Sequence, residues 1–202
     1  MKPAYHHGDL RRALLDEATA VLESDGVGAL ALRDLARRTG VSATAPYHHF
    51  RSKADLVCAL AEDALGRLDA ALGAAGAAGS TPAARLRAQG VAYVLFAVDH
   101  PARFRVAFQP ETGGPFDGLA GPGGALPEDV TAFRHLARAV RDLEPAVPDP
   151  LGLAVAMWSL VHGLASLLLD GPLRGIAADR VRVRVLAEQT VAAVALPGDA
   201  RA

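Results

Sequence analysis

Apolar positions recur at helical spacing along most of the chain. In residues 9–24 they fall at Leu10, Leu14, Ala18, Val21 and Leu22, one face of a helix. Asp25-Gly26 ends that run, glycine being suited to a left-handed cap. A second, short helix is predicted over 32–39, with Leu32, Leu35 and Ala36 on one face and Arg33, Arg37 and Arg38 elsewhere. Gly40 breaks it. Ser42 then caps a third helix of about 43–50. Pro46 lies within its first turn, where a missing N–H costs least. Ser52 caps a fourth helix, with Leu56, Leu60, Ala64, Leu68 and Leu72 at every fourth position.

Residues 73–80, GAAGAAGS, read as a loop and a candidate domain boundary. A fifth helix fits 82–99, ended by His100-Pro101, and a sixth fits 102–108. Residues 110–127 are rich in glycine and proline, and a loop this long is usually functional or disordered. A seventh helix fits 128–144. The eighth is the run 151–169, LGLAVAMWSLVHGLASLLL, closed by Asp170-Gly171-Pro172. The ninth fits about 178–196, although Arg180-Val181-Arg182-Val183-Arg184-Val185 alternates as a strand does. No internal repeat is visible. The expected fold class is all-α, with about nine helices.

Composition agrees with this pattern. The 202 residues are 51% hydrophobic but only 5% aromatic, so the core is mostly Ala, Leu and Val, and Ala and Leu are strong helix formers. The formal net charge of −1 advertises no nucleic acid. Residues 1–55 carry eight Lys or Arg against seven Asp or Glu, and four of the seven histidines. That polarity alone decides nothing. The single cysteine, Cys58, excludes an intrachain disulfide and reads as a packed thiol. The segment MKPAYHHGDLRR has no signal-peptide shape, so a cytoplasmic protein is expected. The uncharged run 151–169 meets the length criterion for a membrane span. However, Asp149 and Asp170 flank it, no Lys/Arg cluster orients it, and His162 lies inside it. A helix buried on nearly all sides, for instance in a subunit interface, explains the same run, and no membrane partner is expected.

The chemistry concentrates in LRDLARRTGVSATAPYHHFRSK. A helix, a glycine turn and a second short helix form a helix-turn-helix unit, whose second helix can enter the DNA major groove. Side chains at its start must be short enough to approach base edges, and Ser42, Ala43, Thr44 and Ala45 qualify. Tyr47, His48, Arg33, Arg37 and Lys53 can hold phosphates. Ser52 and Lys53 begin a helix whose N–H groups can face a phosphate. His49 is expected to pack with Phe50 while His48 faces solvent. A metal reading of the two histidines is weaker. Adjacent helical residues point about 100° apart, and the chain has neither HxxxH nor CxxC. No metal or other cofactor is expected. No catalytic motif competes, since there is no GxxxxGK[ST] and no GxSxG. A helical enzyme using His162 or His135 as a base is the alternative, and no partner carboxylate stands at a persuasive spacing.

These residues carry a resemblance. Residues 8–55 resemble the DNA-binding domain of the tetracycline-repressor (TetR) family of bacterial transcription regulators, through the G-V-S turn at 40–42, the Y-x-H-F block at 47–50 and the K-x-x-L at 53–56. The C-terminal portion is similar to a subgroup marked by a Trp-His-Gly element, here Trp158, His162 and Gly163, and YHHGDLR fits the same subgroup. The resemblance implies a helix-turn-helix head at 1–55 and a ligand-binding, dimerising body at 56–202. It implies a homodimer through the last two helices, about 151–170 and 178–196, and repression of a palindromic DNA operator relieved by a small molecule. Its site residues would be Arg33, Ser42, Ala43, Thr44, Ala45, Pro46, Tyr47, His48, Ser52 and Lys53. Ala31 stands where members often cap the helix with Ser or Thr, at a cost of about 1 kcal/mol.

A ligand pocket is expected between the helices at 82–99, 102–108, 128–144 and 151–169. Tyr93, Phe96, Phe104, Phe108, Phe133, Met157, Trp158 and His162 are its candidates, because most of the few aromatics fall there. Simple core packing is the competing account of any one of them. Trp158 and His162, at i and i+4, share a face that looks into a cavity or across a dimer. A largely apolar ligand there would act by changing the separation of two recognition helices that otherwise match half-sites ~34–36 Å apart.

Overall fold

The computed structural model describes residues 7–108, 133–143 and 147–197. Among them are eight α-helices and no strand: α1 (His7–Asp25), α2 (Leu32–Thr39), α3 (Lys53–Ala77), α4 (Pro82–Asp99), α5 (Pro101–Ala107), α6 (Arg134–Arg141), α7 (Pro150–Leu169) and α8 (Arg180–Ala192). The all-α class is observed. The Arg-Val alternation is helical, with Val183 buried and Val181 and Val185 exposed.

By packing, residues 7–64 and 102–108 form one unit, and 65–101, 133–143 and 147–197 form another. In the first, Leu14, Ala18 and Leu22 of α1 join Leu35 of α2, Phe50, and Leu56 and Leu60 of α3 in the core. Two glycines shape its turns. Gly26 has φ 78° but ψ 176°, a region essentially closed to residues with a Cβ and not the left-handed helical cap expected of it. Gly40, at φ 73° and ψ 27°, is the left-handed residue. Its N–H donates to Arg37 O and that of Val41 to Ala36 O, the pairing that closes a helix C-terminus. Arg37 and Arg38 in the last turn favour the negative end of the helix dipole.

In the second unit the helix starts are set by side-chain caps. Thr81 Oγ1 accepts from Ala84 N at 3.1 Å, Asp149 Oδ1 from Gly152 N at 2.8 Å and Asp179 Oδ1 from Arg182 N at 3.1 Å. Pro82 and Pro150 follow two of these caps directly. The core is small and aliphatic, with Leu86 and Val94 of α4, Val140 of α6, Leu168 of α7 and Val183 of α8. α7 is long and apolar enough to cross a membrane by length and composition. It packs on α4, α6 and α8. The chain alone buries one side of it, Val155 and Leu167 being 42% and 43% exposed, so the near-complete burial expected of it is not met within one chain.

Two further expectations are corrected. The third helix is a 3₁₀ turn, Ala45–His48, with Thr44 and not Ser42 at its N-terminal boundary. Pro46 removes one N–H from a segment too short to sustain an α ladder, so i→i+3 bonds close it. The Ser42 hydroxyl pairs with that of Thr44 at 3.2 Å. Residues 73–77 are also the last turn of α3, not a loop. Alanines sustain the helix there, and Gly73 and Gly76 lie close to side chains of other helices. A Cβ on Gly73 would lie 3.1 Å from the His135 ring, and one on Gly76 would lie 2.5 Å from Gln89 Nε2. The glycine-rich stretch 110–127 and the ends of the predicted helix 128–144 lie outside the described residues.

Candidate nucleic-acid interface

The turn between α2 and α3 sorts its side chains cleanly. Pro46 and Phe50 are buried, while Ser42, Ala43, Thr44, Tyr47 and His48 are exposed and Ala45 is half-buried. Phe50, 2% exposed, is the anchor. The Arg11 guanidinium of α1 lies 5.4 Å from its ring centroid, a favourable cation–π distance. His49 packs at 6.5 Å from the same ring, and His48 faces solvent. Burying Pro46 and Phe50 therefore forces the short hydroxyl and methyl groups outward in one patch. Tyr47, 45% exposed, stands beside them.

The start of α3 is held from both directions. Asp55 N donates to Ser52 Oγ at 3.1 Å, and Arg51 N donates to Asp55 Oδ2 at 3.0 Å. Ser52 is thus the cap expected of it. Asp55 is a functional residue that the sequence reading missed, although Ser followed three residues later by an acid is the signature of a reciprocal cap. Lys53 Nζ donates to Gly28 O at 2.9 Å and so ties the α1–α2 turn to the base of α3. On α2, Arg37 pairs with Asp34 at 3.0 Å and Arg38 with Glu17 at 2.8 Å, whereas Arg33 is exposed and, among the described residues, makes no ion pair. A surface of short donors and methyls flanked by Tyr, His, Arg and Lys can do two things chemically. It can read base edges, and it can neutralise phosphates.

The aromatic candidates divide between the two units. Tyr93, Phe133, Trp158 and His162 come together in the second. Trp158 Nε1 donates to the Tyr93 hydroxyl at 3.2 Å, and that hydroxyl lies 2.8 Å from His162 Nδ1. The hydroxyl accepts from Trp158, and it donates to Nδ1 or accepts from it according to the His162 tautomer. Phe133 meets Trp158 edge-on at 5.9 Å, and Met157 is buried next to it in sequence. Trp158 and His162 thus turn towards α4. Burial raises the Tyr93 pKa, which the Trp158 bond opposes, and burial lowers that of His162. Both groups are neutral at pH 7. Phe96 packs instead on His100, at 5.1 Å. Phe104 and Phe108 pair with each other at 4.8 Å in the first unit. Among the described residues no group of three or more His, Cys, Asp or Glu is placed to hold a metal ion.

This arrangement has known counterparts. Residues 14–60 match the family model of the tetR family of bacterial regulatory proteins. Residues 86–194, more than half of the chain, match that of the tetracyclin repressor-like C-terminal domain. The HTH-type transcriptional regulator BetI of Rhizobium meliloti (strain 1021) is 35% identical over 102 residues, which are 50% of this chain and 46% of that protein. The chain thus spans about half the length of that curated relative. A solved structure of a protein of unknown function from Rhodococcus sp. RHA1 is similar at a TM-score of 0.71, with 35% identity over 95% of this chain and 97% of that one. A bacterial regulatory protein of the tetR family from Rhodococcus RHA1 is similar at a TM-score of 0.59, with 25% identity over 90% and 96% of the respective chains.

Proposed function

Because the chain belongs to the TetR family of transcriptional regulators and carries that family's DNA-binding domain, we propose that it is a cytoplasmic homodimeric repressor, released from a palindromic operator by a small, largely apolar ligand. Functionally, residues 1–55 are the DNA-binding head and 56–202 the regulatory body. The observation that carries the DNA reading is the outward patch of Ser42, Ala43, Thr44, Tyr47 and His48 over the buried Pro46 and Phe50. Ser42, Ala43, Thr44 and Ala45 face the bases. Pro46 shapes the turn. Arg33, Tyr47, His48, Ser52 and Lys53 meet phosphates.

Dimerisation is supported by the exposed aliphatics. Among the described residues the large ones are Val155 and Leu167 on α7 and Val181 and Val185 on α8, and no other helix presents one. These are the helices the family resemblance assigns to the partner. The neutral Tyr93–Trp158–His162 group supports a ligand without formal charge, since a charged one would lie beside rings that cannot balance it. Release follows when ligand-bound heads no longer match two half-sites, and a coupling of ~1–3 kcal/mol changes DNA affinity roughly 5–150-fold. The test is sedimentation of the purified chain beside operator titration. Leu167→Glu is expected to shift dimer to monomer and to weaken binding to a two-half-site duplex far more than to a single half-site. A Leu167→Glu protein that remains dimeric contradicts the interface.

A further inference from the structure

α5 follows α4 with only His100 between them, yet it packs with the first unit, whose other helices lie at least sixty residues of chain away from it or straddle the unit boundary. Phe104, Val106 and Ala107 are 4%, 1% and 1% exposed, so α5 is core there and not a surface strap. Its Arg103 reaches two other helices. Nη1 lies 2.9 Å from Asp63 Oδ2 on α3, and Nε lies 3.4 Å from Glu23 Oε1 on α1. The other Asp63 oxygen takes Arg12 Nη1 of α1 at 3.4 Å, and Arg12 also pairs with Asp16 at 3.0 Å. The side chains of Arg103 and Asp63 are 16% and 20% exposed, against 79% for Arg37, whose pair is an ordinary surface one. Screened surface pairs contribute little. A largely buried arginine beside a largely buried carboxylate is costlier to remove than a surface pair, although Arg12 also reaches Asp63 and the Glu23 side chain is 49% exposed.

The recognition turn lies between α2 and α3, and α1 and α3 each meet it as well. α1 sets Arg11 on Phe50, the anchor of the turn, and α3 begins at Lys53 directly after it. We propose that α5 is an integral part of the DNA-binding unit, and that Arg103 is a positioning residue that fixes α1 against α3 and thereby the pose of the recognition turn. Arg103 touches no base or phosphate. The proposal rests on the DNA-binding reading above.

The test uses the full chain, the duplex that wild-type protein selects from a random library, and the variants Arg103→Gln, Asp63→Asn and Arg103→Lys, each assayed well below its melting temperature. Arg103→Gln and Asp63→Asn are expected to lose roughly 3- to 30-fold in affinity. Arg103→Lys, which keeps the charge, should recover part of that loss. The salt dependence should stay unchanged in all three, because no phosphate contact is removed. Amides of α1 should exchange faster in Arg103→Gln without DNA. Wild-type affinity in Arg103→Gln overturns the proposal, as does a salt slope lowered by about one, which would make Arg103 a direct phosphate ligand. If Arg103→Gln does not fold, Asp63→Asn decides by the same readings. A wild type that selects no duplex sinks the DNA-binding reading and this inference together. A selected duplex that Arg103→Gln binds normally sinks this inference alone.

Discussion

The recognition turn of the first packing unit and the aromatic group of the second handle polar groups in opposite ways. In the first, the hydroxyls of Ser42 and Thr44 bond to each other at the surface, and buried Pro46 and Phe50 hold them there. In the second, the Tyr93 hydroxyl sits in a residue only 5% exposed and takes its partners, Trp158 and His162, from another helix. In a helix-turn-helix the residues at the start of the recognition element contact the base edges, so the groove-reading side chains are neighbours in sequence. A buried polar group needs partners from wherever the fold can bring them. One requirement writes itself into a local stretch of sequence, and the other does not.

The sharpest way to break this comparison is to remove the anchor of the turn. Phe50→Ala should cost about 3–5 kcal/mol through the cavity it leaves. It should abolish DNA binding and lower the melting transition, with α7 and α8 amides losing less protection than those of α1. Equal loss everywhere would mean that the two units unfold as one. Next, Tyr93→Phe takes the shared oxygen from Trp158 and His162 at a cost of about 1–3 kcal/mol. Thermal denaturation should detect it, while operator affinity without ligand stays at the wild-type value. A smaller pair of effects separates base reading from phosphate holding. Thr44→Ala should relax preference at one base position by about 1 kcal/mol. Lys53→Ala should weaken all sequences alike and lower the salt slope by about one. An unchanged slope would leave Lys53 only as the tether to Gly28.

The smallest effect is a pH dependence. Burial lowers the folded pKa of His162, so the unfolded chain takes up a proton that the folded one resists. That contribution to stability is present above the ordinary histidine value of about 6.5 and is lost as pH falls from there through the lower folded value. His162→Gln should therefore narrow the gap between melting temperatures at pH 7.5 and pH 5.5. A gap of unchanged size would place the titration elsewhere.

Much of the fold was legible because its causes are local. The stripe Leu56, Leu60, Ala64, Leu68 and Leu72 is buried throughout, Ser52 caps α3, and α2 and α4 have the predicted ends. Gly73 and Gly76 were misread because glycine marks a loop and a close approach with the same letter. The deciding atoms belong to His135 and Gln89, far along the chain. The 3₁₀ turn was legible in Pro46 itself, whose missing N–H shortens any helix around it. Of the body site, Trp158 and His162 were placed on a common face correctly, since i and i+4 fix that alone. Phe104 and Phe108 were named with them because most of the aromatics fall in that half of the chain, and the sequence does not show that α5 packs in the first unit. Arg103 and Asp63, forty positions apart, had no local signal at all.

The most direct test of the central claim is selection of the purified protein against a random duplex library, followed by sequencing of what it retains. A recovered palindrome with half-sites about one helical turn apart, lost in Phe50→Ala and altered at one position in Thr44→Ala, is the predicted result. A folded wild type that enriches no sequence would contradict the reading of this chain as a DNA-binding repressor.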